Sequence, residues 1–498
     1  MALLEYLIAI PLAASFLIVL FGKRFKYAGE ILSVISAAAL FIISASCAGS
    51  ILIQAPIIFK VGHWSPPFGI PLIGDGLSVL ILVVANMITL AVIIYSIGYA
   101  RQYTDNWKYY TLLMIMTAAV NGLVMTGDLF NLFVFLEIAS ITAYALVAFT
   151  NEDEALEGAF KYAVLSAVAS SFVLLGIALL YGYTSTLNMA DMASVIFAKG
   201  PARLIPFVSA LFLMGFGLKS ALAPFHTWMP DAYTKAPATI AAMSSGVLIK
   251  TLGIYALVRI FFCVFGMTDK ISFIFIALAL LSMIGGGVMA FGQSNIRRLL
   301  AYSSISQVGY ILLGFGIGTP LAITGSIFHL FNHSVAKSLL FLNVGAIENH
   351  YGTSDINKIS GLVSRDRICG YTNLTGIMSI CGIPPFGGFW SKLIIIFACI
   401  QAHRPILALV TVAVSILTLV YYLKAYTPAL FGTDSEAGNK QYAVHFSMKL
   451  AMIALSLIAV FGGLAIMPGP VKVSIDNAVA VLLNGSAGYI NTLFGAVR

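Results

Sequence analysis

Residues 328–337 read Phe328-His329-Leu330-Phe331-Asn332-His333-Ser334-Val335-Ala336-Lys337, inside a run from 320 to 347 that is otherwise mostly apolar. His329, His333 and Lys337 recur at i, i+4 and i+8, so on a helix they stack along one face. A charge at mid-bilayer costs roughly 2.5–3.5 kcal/mol even on insertion scales, so such a row belongs toward water or other polar groups and not toward lipid. The stripe therefore calls for a bundle of membrane helices with a polar interior. Histidine, with an ordinary pKa of about 6.5, is the side chain suited to relaying protons there.

Working outward, 60% of the 498 residues are hydrophobic and 9% are charged, with a mean hydropathy of +0.99. That balance excludes a soluble domain. A bilayer core about 30 Å thick needs about 20 apolar residues per helix. The pattern predicts an all-α integral membrane protein with about fourteen spans: 2–21, 28–50, 72–98, 109–126, 129–149, 158–183, 203–223, 237–262, 271–292, 299–318, 320–347, 371–400, 405–430 and 446–467. No soluble domain interrupts them, so 1–498 reads as one polytopic membrane domain.

The net charge of +8 does not point to nucleic acid, because the basic residues are scattered over short loops without a patch of interleaved aromatics. Fifteen Lys and Arg follow odd-numbered spans, against eight after even-numbered spans and in the tail, with Arg259 counted among the eight. The positive-inside rule then places both termini on the non-cytoplasmic side of the cell's inner membrane. Lys23, Arg24 and Lys26 follow the first apolar run and none precedes it, which suits a retained first helix better than a signal peptide. The five cysteines (47, 263, 369, 381, 399) form no C-x-x-C and have no His partner at metal-ligand spacing. Zinc, iron–sulfur clusters and a disulfide framework are not expected.

Four more ionisable residues sit inside predicted spans. Glu137 lies deep in the fifth, with Ser140 and Tyr144 at i+3 and i+7. Lys219 precedes Pro224 by five residues, Lys250 lies between Gly246 and Gly253, and Lys392 follows Pro384-Pro385. Each has a plainer reading: a helix–helix hydrogen bond for Glu137 and Lys250, a side chain snorkelling to the interface for Lys219 and for Lys392 beside Trp390. Two His at i, i+4 also suit a metal, but no third ligand is apparent. The prolines predict broken helices seven and twelve, the mark of an internal repeat. Five spans per unit, 109–265 and 271–430, invert the second unit relative to the first. Spans within 1–98 and 446–467 flank them. Arg297-Arg298 reads as a cytoplasmic loop anchor, Glu152, Asp153, Glu154 and Glu157 as a solvated acidic face, and Gly285-Gly286-Gly287 as helix packing.

Several stretches together resemble a known family. They are Gly127-Asp128-Leu129-Phe130-Asn131-Leu132-Phe133 leading to Glu137, Lys219 through Pro224-Phe225-His226-Thr227-Trp228-Met229-Pro230-Asp231-Ala232 to Pro237, Lys250, Arg298-Leu299-Leu300-Ala301-Tyr302-Ser303-Ser304-Ile305-Ser306-Gln307, His329 to Lys337, and Pro384 to Lys392. Over roughly 109–430 the chain is similar to the antiporter-like subunits of respiratory complex I (NADH:quinone oxidoreductase), membrane-bound hydrogenases and Mrp-type cation/proton antiporters. A lysine at Lys392 looks like the Mrp D type. The resemblance implies a subunit that moves protons or sodium ions within a multisubunit membrane complex. It also implies a pathway in which Glu137 pairs with Lys219, Lys250 follows, His329, His333 and Lys337 bridge the halves, and Lys392 ends the row. No cofactor is implied in this chain, and electron chemistry would belong to partner subunits. The rival class is a stand-alone secondary transporter for a small solute, which a row of proton-exchanging groups across many helices suits poorly.

Overall fold

The computed structural model describes residues 3–52, 56–200, 203–432 and 444–495. Lys440 and Arg498, both counted in the charge asymmetry, lie outside them. Among the described residues, ten helices are long and apolar enough to cross a membrane, and they coincide with ten of the predicted spans. The other four spans have physical reasons for standing apart. The first helix, Tyr6–Phe21, is short, helix eleven (Pro320–Tyr351) carries the His and Lys stripe, and helices seven and twelve are divided.

Helix seven runs as Leu204–Lys219, breaks, and resumes as Trp228–Lys235. Helix twelve runs as Arg367–Cys381 and Gly387–Gln401. Pro224 and the Pro384-Pro385 pair fall within the breaks, where the missing N–H groups leave no helical hydrogen bond to lose. Helix eight (Ala238–Phe265) is continuous but wound as a π-helix over Ser244–Tyr255, a geometry that recurs at functional sites. It is the most enclosed span, with its apolar window wholly buried, against 39% for helices six (Asp153–Thr184) and nine (Asp269–Phe291). Lys250, on this helix, thus sits enclosed by other helices.

The repeat is written in local structure. Asp128 caps helix five (Leu129–Val147) by accepting from Asn131 N, and bridges antiparallel to Asn188. Asn295 caps helix ten (Ile296–Ile317) by accepting from Arg298 N, and bridges antiparallel to Asp355. Both residue pairs are separated by the same 167 positions, 128 to 295 and 188 to 355. The flanking backbone bonds match as well: Leu129 N to Leu187 O and Met189 N to Gly127 O, against Ile296 N to Ser354 O and Ile356 N to Ser294 O. Helices five to nine intervene, an odd number, so the second ladder lies at the opposite membrane face.

Three elements were not expected from the sequence. A two-stranded antiparallel hairpin, Ile57–Lys60 with Pro71–Gly74, precedes helix three (Gly76–Tyr99). Helix Met189–Lys199 occupies the polar stretch after helix six, burying Met189, Met192 and Ile196 while Phe197 stays exposed. A C-terminal helix, Pro470–Phe494, follows the last predicted span and bends at Gly485. Its mixed polar and apolar residues mark it as a packing helix, which a search for long apolar runs passes over.

Candidate ion-translocation site

Lys219 ends the first half of helix seven, and the break turns its buried side chain toward helices five and six. Its ammonium donates to Ser140 Oγ at 2.8 Å and Ser166 Oγ at 2.6 Å, and reaches Glu137 Oε1 only at 3.5 Å. Ser170 Oγ donates to the same Glu137 oxygen. The ion pair is therefore loose: the cation leans on hydroxyls that make it a neutral cradle, while the carboxylate, 28% exposed, keeps access to the helix surface. All three ammonium donors are engaged, so Lys219 does not snorkel.

Lys250 lies in the π-helical part of helix eight and donates to Ser245 O. Two glycines set its neighbours. A methyl group at Gly253 would overlap Ser220 Oγ, next to Lys219, and one at Gly246 would overlap Ser338 Oγ, next to Lys337. Helix eight thus touches the helix-seven break on one side of Lys250 and helix eleven on the other, an approach only glycine allows. A hydroxyl contact, Ser245 Oγ to Ser304 Oγ at 3.0 Å, carries polar groups on to helix ten.

On helix eleven, Lys337 donates to Leu300 O at 3.0 Å, to Tyr422 OH at 3.1 Å and to Ser303 Oγ. His333 is fully buried and neither ring nitrogen has a hydrogen-bond partner. Its ring lies parallel to that of His329, with centroids 6.1 Å apart, and it stands within electrostatic reach of Lys250, Lys337 and Lys392. An unpaired buried imidazole is costly unless its polar atoms have work to do. His329 is held at both nitrogens, by Ser391 Oγ at 2.9 Å and Gln307 Oε1 at 3.1 Å.

Ser391 leads to Lys392, which donates to Ile380 O at 2.8 Å, a carbonyl at the broken end of the first half of helix twelve, and lies 5.1 Å over the Tyr310 ring. Trp390 is 38% exposed while Lys392 is 3% exposed, so tryptophan and not lysine faces outward. The two broken helices are not mirror copies in one respect. Lys219 precedes its break and Lys392 follows its own.

The sequence missed other buried charges. Arg297, taken as a loop anchor, is buried and forks onto Glu348 at 2.6 and 2.5 Å, and only Arg298 is surface-exposed, bonded to Asp231 at 3.1 Å. Arg259, counted as a loop charge, is buried against Asp75 at the start of helix three. Both carboxylate partners lie far away in sequence, so no local signal marked them. The acidic face holds: Glu154 and Glu157 pair with Lys235 and Lys161 at the surface. Folding also brings Cys369 beside His350 and Asp366, with ligand atoms within 4.8 Å, a proximity that the sequence spacing of cysteines and histidines did not show. Lys449 already bonds Asp366 Oδ2 at 2.8 Å, so this group is an ion-pair network with its carboxylate neutralised.

The family model "NADH:quinone oxidoreductase/Mrp antiporter, TM" matches residues 126–418. The chain is 31% identical over 465 residues to the D subunit of the Na(+)/H(+) antiporter of Alkalihalophilus pseudofirmus, covering 93% of both, and 33% identical over 418 residues to the N subunit of NADH-quinone oxidoreductase of Desulforudis audaxviator, covering 82% of this chain and 83% of that one. Its fold is similar to a chain of the Mrp complex from Dietzia sp., with a TM-score of 0.91, 28% identity and 99% of each chain covered. Glu137, Lys219, Lys250, the helix-eleven stripe and Lys392 all fall inside the matched segment, and the chain belongs to this membrane family of NADH:quinone oxidoreductase and Mrp antiporter subunits.

Proposed function

We propose that this antiporter-like subunit of a multisubunit membrane complex moves protons along Glu137, Lys219, Lys250, the His329–His333–Lys337 cluster and Lys392, in exchange for sodium ions or driven by redox chemistry in partner subunits. The observation that carries the reading is His333, a buried ring with neither nitrogen bonded, within electrostatic reach of Lys250 and Lys337. A proton relay needs a group that can take a proton from one neighbour and release it to another, and a ring already committed to two strong bonds does this poorly. At the entrance, the 3.5 Å contact between Lys219 and Glu137 keeps the ammonium in place without locking it. When a charge arrives near Glu137, the carboxylate's hold on Lys219 weakens and a proton can leave toward helix eight.

Both termini lie on the non-cytoplasmic side of the inner membrane in this reading, as the loop charges require. The test is Glu137→Ala and Lys219→Ala in the assembled complex, reconstituted in vesicles. Cation/proton exchange, or redox-driven pumping, should fall to background while the subunits still co-purify. Normal transport in either variant would refute the pathway.

A further inference from the structure

Beyond the row itself, one buried charged pair has no part in the pathway so far. Arg259 forks onto Asp75, Nη1 to Oδ2 at 2.6 Å and Nη2 to Oδ1 at 2.8 Å, with both side chains almost wholly enclosed. Its guanidinium lies between two rings, Tyr255 at 5.3 Å and Tyr489 at 5.4 Å. Tyr489 comes from the C-terminal helix, beyond its bend at Gly485. Above Asp75 a cavity of about 220 Å³ opens to the surface, lined by Pro56, Asn477, Asn484, Tyr489 and Thr492. Below the pair, Tyr255 OH bonds Val124 O at 2.5 Å, and one turn along helix four (Asn106–Met125) Asn121 bonds Asn86 of helix three at 3.2 Å. Asn86 Nδ2 and Asn121 Oδ1 are buried without partners. Polar groups thus continue inward from the pair on helices three and four, which pack against the π-helical stretch that carries Lys250, and a cavity open to the surface meets the pair from outside.

We propose that the Asp75–Arg259 pair, covered by Tyr489, is the gate through which protons pass between Lys250 and the membrane face carrying the Ile57–Gly74 hairpin. This rests on Lys250 being a carrier. A proton leaving the Lys250 ammonium passes through water bonded to the free Asn86 Nδ2 and Asn121 Oδ1 to the Asp75 carboxylate, and the carboxylic acid so formed releases Arg259. The resulting carboxylic acid gives its proton to water in the cavity, and the regenerated carboxylate re-forms the pair. During transport the released Arg259 keeps its charge against the Tyr255 and Tyr489 rings, whereas a variant lacking one partner would strand a buried charge permanently, so the test replaces both.

The test uses the assembled complex in vesicles. Asp75→Asn combined with Arg259→Gln should lose most of its exchange, as Lys219→Ala does. Cys263 Sγ lies 3.8 Å from Arg259 Nη1 and reports on the gate from inside. With the other four cysteines replaced by alanine, an impermeant anionic thiol reagent added from the hairpin side should label Cys263 several times faster during transport than at rest. Tyr489→Ala should label faster still without any gradient. If the double variant transports at the normal rate, or Cys263 stays unlabelled in both backgrounds, the gate is overturned while a silent Lys219→Ala leaves the pathway standing. Normal transport in Lys219→Ala overturns the pathway instead. Should the double variant fail to assemble, the labelling of Cys263 with and without Tyr489 decides.

Discussion

The two repeats hold the same frame and opposite chemistry. Helices five and six begin at 129 and 153, helices ten and eleven at 296 and 320, again 167 positions apart. In this register Glu137 corresponds to Ser304, Ser140 to Gln307, Tyr162 to His329, Ser166 to His333 and Ser170 to Lys337. The first repeat sets one carboxylate among hydroxyls and receives Lys219 as its counter-charge. The second replaces the carboxylate by a hydroxyl and two hydroxyls by an imidazole and an ammonium. Among the described residues, no carboxylate bonds His329, His333, Lys337 or Lys392.

The difference has an energetic meaning. An acid beside a base can rest as a pair, whereas clustered cations repel. Charging both rings at the 6.1 Å separation of His329 and His333 would cost about 3 kcal/mol at an effective dielectric near 20. The first half can thus hold a charge pair, and in the proposed pathway the second passes charge on, since a proton entering the cluster favours the departure of another.

Breaking this asymmetry most severely is Lys337→Ser, which writes the first-repeat residue into the second. Leu300 O, Ser303 and Tyr422 lose their shared donor, so thermal unfolding should register a loss of about 1–3 kcal/mol, and ion exchange by reconstituted vesicles should disappear. Intact exchange would remove Lys337 from the pathway. Next comes Lys392→Glu, which places a counter-charge beside the cluster. It should change the transport rate far more than Trp390→Phe, since Trp390 faces outward, and equal effects would argue against a carrier at Lys392. Within the first repeat, Ser166→Ala removes one of three acceptors of Lys219, worth about 1 kcal/mol or roughly fivefold in rate, leaving exchange slowed but measurable. The smallest effect belongs to Lys161→Ala: its pairs with Glu157 and Asp231 lie at the surface, so the thermal unfolding midpoint and the exchange rate should both stay at the wild-type value.

Much of the site was legible before folding because charges stand out against apolar runs. Glu137, Lys219, Lys250, Lys337 and Lys392 were each visible as a polar letter at membrane depth, and Pro224 and Pro384-Pro385 marked the breaks. Arg259 and Arg297 were not, because each sits close enough to a span end to pass for a loop charge. Their partners, Asp75 and Glu348, are 184 and 51 positions away. The equivalence of the repeats also escaped inspection, since the matching positions carry different residues and only the backbone ladders preserve the register. The C-terminal helix was passed over for a related reason: its polar residues lower its hydropathy, while its packing against Arg259 through Tyr489 is a tertiary fact.

Composition and periodicity alone determined that this chain is a helical membrane protein with ionisable groups at depth, because burying apolar surface and satisfying backbone bonds in lipid are demands each segment meets locally. Which of those groups touch was decided only by tertiary structure. The 3.5 Å from Lys219 to Glu137, the unpartnered ring of His333 and the fork of Arg259 onto Asp75 depend on how distant helices pack, and side-chain distances between helices are set by glycine contacts and breaks that no single segment encodes.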